Sequence, residues 1–187
     1  MPSSTRFPCA RILVVDDSVF ERHLITMALE KAGFQRIISA DDGEAALAKT
    51  KEFQPDLVLL DLNMPHLDGF GYCEVVRKDA SLPKMPIIVQ TALEDRQSRL
   101  RALSCGADDF LTKPLDMAEL TLRIGVHVDR YFMLREMENM CDYLKMELET
   151  VHHVRSAMDA ANITPLSREN LENHCEVLEQ LAFLSAG

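Results

Sequence analysis

Short apolar runs alternate with longer amphipathic stretches over the first two thirds of this chain. The runs are rich in β-branched residues and are bounded by turn-forming residues, a pattern typical of strands. They lie at 11–15, 36–39, 56–60, 87–90 and 108–111. Because strands that alternate with helices pair in parallel and are covered on both faces, we expect an α/β fold with a five-stranded, parallel, doubly wound sheet.

The start of each predicted helix carries its own signal. Ser18, with Glu21 three residues later, forms a capping-box signature for a helix that stops at Gly33. Asp42 and Gly43 lead into a second helix. Two more helices are predicted at 69–78 and 94–105. No glycine-rich phosphate loop follows the first strand, which argues against a dinucleotide or P-loop site.

Turn-forming residues are unevenly distributed along the 187 residues. Six of the seven glycines and seven of the eight prolines lie at or before position 125. The rest of the chain, after position 125, therefore contains few turn-forming residues and should be helical. We predict two domains, an α/β domain at 9–124 and a helical extension at 125–187. One helix should run from about 116 to 161, and a shorter one from about 165 to 184 after the cap Thr164 and the first-turn Pro165.

The long helix carries an apolar seam with a heptad spacing. The predicted a positions are Leu134, Cys141, Leu148 and Arg155, and the d positions are Met137, Leu144, Val151 and Met158. Two helices with apolar seams cannot bury both seams in one hairpin, so we expect a homodimer through the C-terminal helices, as a coiled coil or four-helix bundle. A monomer with a self-contained helical hairpin is the alternative.

Charge and composition narrow the classes of partner. The net charge is -10, and 125–187 is the more acidic part, with 5 basic and 11 acidic residues. We therefore expect no direct contact with nucleic acid, and a DNA-binding regulator is disfavoured. No run approaches the roughly 18 to 20 apolar residues that span a bilayer, and residues 1–10 lack the apolar core of a signal peptide. We expect a cytoplasmic chain without membrane insertion, whose five scattered cysteines are reduced.

Polar side chains stand where the predicted strands end. Asp16 and Asp17 follow the first strand, Asp61 the third, Thr91 the fourth and Lys113 the fifth. In an open parallel sheet these ends form the ligand-binding edge. Three clustered carboxylates repel one another unless a hard cation joins them, and oxygen ligands suit Mg²⁺. An ionised Asp61 can then act as a nucleophile toward phosphorus, while Lys113 and Thr91 stabilise the phosphoryl oxygens.

Four segments, VVDDS, DLVLLDLNMPHLDG, QTA and DDFLTKP, together resemble the receiver domain of bacterial two-component response regulators. The resemblance covers about residues 9–124 and implies a flavodoxin-like fold. It makes Asp61 the phosphoacceptor and places Mg²⁺ among Asp16, Asp17, Asp61 and the backbone carbonyl of Asn63. It also implies a switch hydroxyl at Thr91, a switch aromatic at Phe110, a phosphate-binding Lys113 and a cis bond between Lys113 and Pro114.

The resemblance implies a signalling switch that is not an enzyme beyond its own phosphoryl transfer and hydrolysis. A sensor histidine kinase or a phosphotransfer protein would supply the phosphoryl group, and the helical extension would signal by dimerisation or by binding an unknown downstream protein. The alternative is the receiver and linker of a longer regulator whose phosphatase or cyclic-dinucleotide enzyme domain is absent. His152 and His153 faintly resemble a histidine-kinase phosphoacceptor helix, but an exposed helix face is the simpler interpretation.

Overall fold

The computed structural model describes residues 8–91 and 104–160, with side chains as far as residue 157. Five strands, β1 to β5, alternate with helices. The strands are Arg11–Val15, Arg36–Ala40, Leu57–Asp61, Ile87–Thr91 and Asp109–Thr112. The described helices, α1 to α4, are Val19–Lys31, Gly43–Phe53, Gly69–Lys78 and Met117–Ala160. The predicted helix at 94–105 lies outside the described residues except for its last two positions. The predicted helix at 165–184 and the side chain of Met158 lie outside them entirely.

All five strands are parallel and form one sheet in the order β2-β1-β3-β4-β5. The predicted five-stranded, doubly wound, flavodoxin-like fold is therefore confirmed. Strand order reverses beside β1, so the carboxyl ends of β1 and β3 are neighbours at the edge where ligands bind in such sheets.

Several strands end one residue later than the sequence pattern predicted. β3 ends at Asp61 and β4 at Thr91, because the ladder continues through the pairs of Asp61 with Gln90 and of Thr91 with Thr112. The polar residues at these ends therefore belong to the strands themselves. The hydrogen-bonded pairing of the strands therefore fixes the backbone positions of Asp61 and Thr91 at the carboxyl edge of the sheet.

Burial explains why the strand sequences are so apolar. Every residue of β3 and β4 is buried, as are four of the five residues of β1. Leu13, Val15, Val58 and Leu60 pack into one cluster with side chains of α2 and α3. Since alternate residues of a strand face opposite sides of the sheet, complete burial means that both sides are covered.

Polar caps begin the helices as the sequence predicted. Ser18 Oγ accepts the Glu21 N–H, and Asp42 Oδ1 accepts the Ala45 N–H at 2.7 Å. After α1 the chain turns at Gly33 with φ +102°. A residue with a Cβ rarely adopts this angle, so glycine suits the end of the helix.

The chain consists of two compact units, with the boundary after Tyr131. The sequence placed the domain boundary at 124, and that placement remains a prediction. In the second unit Val151 is buried against Leu144 and Leu148, three residues of the predicted seam. Met137, also in that seam, is 61% exposed.

Among the described residues, no helix is both long enough and apolar enough to cross a membrane.

Candidate functional site

Three carboxylates meet at the carboxyl edge of the sheet. Asp16 and Asp17 follow β1, and Asp61 is the last residue of β3. One oxygen of each can be chosen so that all three lie within 4.8 Å of one another. Asp16 and Asp61 are buried, whereas Asp17 is exposed. The arrangement is a cluster of oxygen donors that opens to solvent on one side.

Lys113 holds this cluster together from the next residue after β5. Its Nζ lies 2.9 Å from Asp16 Oδ2 and 2.6 Å from Asp61 Oδ2. A third carboxylate, that of Glu21, lies 2.6 Å from the same Nζ. The bond between Lys113 and Pro114 is cis. One ammonium therefore bridges the ends of β1 and β3 and the first turn of α1.

The pKa values follow from burial and from this lysine. Burial raises the pKa of Asp16 to about 6, although hydrogen bonds from Lys113 and from the Ser18 N–H act in the opposite direction. Burial alone would lower the pKa of Lys113, but hydrogen bonds to Asp61, Glu21 and Asp16 raise it above its usual range. The lysine therefore stays charged in a site that would otherwise hold only negative groups.

Glu21 has a different role from the one its sequence position suggested. The capping box predicted that its carboxylate would accept the Ser18 N–H. In the structure, the Ser18 N–H donates instead to Asp16 Oδ1 at 2.8 Å, while Glu21 contacts Lys113. The Ser18 half of the box is confirmed and the Glu21 half is wrong. The Asp16 carboxylate is buried two residues before Ser18 and accepts its amide, whereas the half-exposed Glu21 pairs with Lys113 instead.

Asp16 has a third polar partner, which the sequence pattern did not indicate. Gln90 Nε2, from the buried strand β4, donates to Asp16 Oδ2 at 2.8 Å. The available signal was a polar amide inside an otherwise apolar run, since a buried amide needs hydrogen-bond partners. Its partner could not be named without the strand order, because the two residues are 74 positions apart.

The remaining predicted site residues lie around the same edge. The Asn63 N–H donates to Asp61 Oδ1 at 3.1 Å, so the loop after β3 is fastened to the carboxylate. Thr91 is buried at the end of β4, and its carbonyl accepts the Lys113 N–H at 2.9 Å. Phe110 is half-buried in β5 and packs against the core cluster.

The donor set is well matched to Mg²⁺. Three carboxylate oxygens can approach one point, and oxygen atoms are the ligands that this hard cation prefers. Asp17 faces solvent, which suits an ion that usually retains several water ligands. An ionised carboxylate that lies beside a fixed ammonium, in a donor set that could hold a cation, could attack a phosphoryl group.

Comparison with known proteins gives matches to one family. The family model described as "Response regulator receiver domain" matches residues 12–125. A probable transcriptional regulator ycf27 of Porphyridium aerugineum is 45% identical over 114 residues, which are 61% of this chain and 46% of that protein. The DNA-binding dual master transcriptional regulator RpaA of a Synechocystis strain is 39% identical, with 61% of this chain and 47% of that protein covered.

One solved structure and a third relative match this chain in the same way. The receiver domain of the Francisella response regulator 1452 matches with a TM-score of 0.61 and 30% identity, covering 65% of this chain and 98% of that one. Response regulator PleD of Caulobacter vibrioides is 41% identical over 115 residues, which are 62% of this chain and 25% of that protein. The match spans half or less of these full-length relatives.

Proposed function

The chain belongs to the response regulator receiver domain family, and on that premise we propose that it accepts a phosphoryl group on Asp61 from a sensor histidine kinase or a phosphotransfer protein. The contact of Lys113 Nζ with Asp61 Oδ2 at 2.6 Å is the observation that carries the proposal. It places a fixed cation beside the oxygen that would attack. The lysine can therefore compensate the charge of an incoming phosphoryl group.

In the transfer step, an Asp61 carboxylate oxygen forms a bond to phosphorus while the bond from phosphorus to the histidine nitrogen of the donor breaks. The electron pair of that bond stays with the histidine ring. Asn63 holds the other Asp61 oxygen through its N–H, which restricts the rotation of the carboxylate. Lys113 then exchanges its contacts with the carboxylates for phosphoryl oxygens, and the Thr91 hydroxyl donates to another.

We place Mg²⁺ among Asp16, Asp17, Asp61 and the backbone carbonyl of Asn63. When bound, the ion neutralises the carboxylates and the phosphoryl oxygens. Gln90 and the Ser18 N–H orient Asp16 through hydrogen bonds of 2.8 Å each, so this carboxylate is positioned before an ion arrives. Such preorganisation reduces the free-energy cost of ordering the site.

The signal leaves the site through β5. Phe110, the proposed switch aromatic, follows Asp109, whose carboxylate binds two side chains of α4. Arg123 Nη1 lies 2.8 Å from Asp109 Oδ2, and His127 Nε2 lies 3.2 Å from the same oxygen. A displacement of β5 on phosphorylation would therefore be transmitted to α4.

The output, in this proposal, is dimerisation through the C-terminal helices or the binding of a downstream protein. Met133, Met137 and Met140 of α4 are each more than half exposed, and they form an apolar surface of the second unit. Sedimentation at several concentrations, with and without beryllofluoride, tests this output. We expect a dimer at tens of micromolar that Met137→Glu with Met140→Glu weakens. A wild-type monomer in both states contradicts dimerisation and leaves the binding of a downstream protein as the output.

A second candidate is that this receiver and helix belong to a longer regulator. The partial coverage of the relatives supports it, and RpaA is named as DNA-binding. The expectation that the chain avoids nucleic acid therefore has no support from the relatives. A coding sequence that continues past Gly187 into an enzyme or DNA-binding domain would favour this candidate.

Phosphorylation can be tested on the full chain with acetyl phosphate and MgCl₂. Intact mass should rise by one phosphoryl group in the wild type and in Asp142→Asn, which changes an exposed acid outside the site. The gain should be absent in Asp61→Asn and after chelation of Mg²⁺. An unchanged wild-type mass, or an equal gain in a folded Asp61→Asn, contradicts the proposal.

A further inference from the structure

Two cysteines from different elements meet away from the phosphorylation site. Cys73 lies in α3 and is fully buried, while Cys105 is partly buried and precedes β5. Cys105 packs against the core cluster that contains Cys73, and the two thiols are hydrogen-bonding neighbours. Both residues are present as thiols. The fold therefore brings together a dithiol whose members are 32 positions apart in the sequence.

Arg77 fixes the relative position of the two cysteines. It lies one helical turn after Cys73, on the same side of α3. Its Nε donates to the Gly106 carbonyl at 2.8 Å, next to Cys105, and its Nη1 donates to the Met85 carbonyl at 2.9 Å. Gly106 has φ +96°, and a Cβ there would lie 2.7 Å from Arg77 Cγ. The residue after Cys105 is therefore held closely against α3.

The two thiols differ in their access to solvent. Cys105 lines a cavity of about 490 Å³, together with Phe70, Glu74 and Lys78 among other residues. Cys73 has no exposed surface. Burial and the neighbouring Cys105 raise the pKa of the Cys73 thiol above its usual range, so it stays protonated and reacts poorly with a dissolved oxidant. A small oxidant would therefore reach Cys105 first.

We propose that Cys73 and Cys105 form a redox-sensitive pair that closes to a disulfide in the presence of a hydroperoxide. The peroxide oxidises the Cys105 thiol to a sulfenic acid, and hydrogen peroxide is reduced to one water molecule. The Cys73 sulfur then bonds to the Cys105 sulfur as the S–O bond breaks. The hydroxide leaves with the Cys73 proton as a second water molecule.

Closure would join α3 covalently to the segment that leads into β5. The raised pKa of Cys73 makes the second step slow, because the thiolate is the attacking species. The sulfenic acid on Cys105 should therefore accumulate long enough to be trapped. None of these steps uses Asp61, so the pair is independent of the proposed phosphorylation.

The test uses the full chain with Cys9, Cys141 and Cys175 changed to serine, which leaves only the pair. After hydrogen peroxide treatment, intact mass should fall by the two hydrogens lost in a disulfide, and dithiothreitol should restore it. Peptide mapping of the untreated and oxidised wild type should give a Cys73–Cys105 link only after oxidation. This wild-type arm avoids any folding defect of the variants.

Single changes assign the order of events. Cys73→Ser should yield a dimedone adduct on Cys105, whereas Cys105→Ser should leave Cys73 unmodified under the same conditions. Oxidised wild type that contains no Cys73–Cys105 link overturns the proposal. Dimedone labelling of Cys73 in a folded Cys105→Ser variant overturns the assigned order.

Discussion

The two units of this chain use apolar residues in opposite ways. In the first, the central strands β1, β3 and β4 are buried almost completely, and no residue of β3 or β4 is exposed. Among the described residues of the second, Met133, Met137 and Met140 are each more than half exposed, and Val151 alone is buried, against Leu144 and Leu148. An apolar residue in β1, β3 or β4 therefore belongs to the core of this protein, whereas most apolar residues described in the second part of α4 lie at a surface.

This difference in burial follows from how a sheet and a helix can each bury their side chains. A parallel sheet is covered on both faces by helices of the same chain, so its residues need no outside partner. A helix buries only the stripe of side chains that packs against another element. Residues on its other sides remain in water unless another chain covers them. The charged groups differ likewise, since the buried Asp16 and Asp56 of the first unit have fixed hydrogen-bond partners, whereas Asp142 of the second is exposed beside Lys145.

Shortening one apolar side chain in each unit should reveal this difference in burial as a large difference in stability. Leu60→Ala removes a fully buried side chain from β3 and should lower the free energy of unfolding by about 2–5 kcal/mol. Met137→Ala, in the exposed part of α4, should change it by less than about 0.5 kcal/mol. Urea unfolding at one low protein concentration measures both. Equal losses would mean that Met137 is covered in solution.

Ion pairs provide a second, smaller contrast. Asp56 is buried, and its carboxylate accepts hydrogen bonds from the Arg11 guanidinium and from the Arg11 N–H at 2.9 Å. Asp56→Asn should cost about 2 kcal/mol, because hydrogen bonds to a charged group are lost. Asp142→Asn is the matched change at an exposed pair with Lys145 and should cost about 0.5 kcal/mol or less. If urea unfolding shows that Asp56→Asn leaves the free energy of unfolding unchanged, the assigned role of Asp56 is refuted.

The smallest expected effect is on acid stability. Burial alone would raise the pKa of Asp109, but hydrogen bonds from Arg123, the Phe110 N–H and His127 lower it overall. Its stabilising contribution is therefore present above the unfolded pKa of about 3.9 and is lost as the pH falls through the lower folded value. Because Arg123 is partly exposed, the contribution should be below about 1 kcal/mol.

Urea midpoints measured from pH 7 to pH 3 test this contribution. Asp109→Asn should be less stable than wild type at pH 7, and the difference should shrink below about pH 4. Asp142→Asn controls for the loss of one negative charge. A difference between Asp109→Asn and wild type that is constant over the whole range would show that the carboxylate is not the source.

Much of the first unit was predictable because its signals are local. Alternating patterns gave the strands within about one residue, and Ser18 and Asp42 indicated helix starts that the structure confirms. The polar residues at strand ends also indicated that a site forms there, since parallel strands end at a common edge. The C-terminal seam was less informative, because an apolar stripe does not specify what covers it.

Taken alone, the sequence determined the α/β class, the strand and helix order, and the residues that stand at the binding edge. Only the tertiary structure decided that Lys113 also contacts Glu21, that Gln90 donates to Asp16, and that Cys73 meets Cys105. Local conformation depends on neighbours in the sequence, whereas these contacts join residues tens of positions apart. They depend on the strand order and on competition among donors and acceptors, which a linear pattern does not encode.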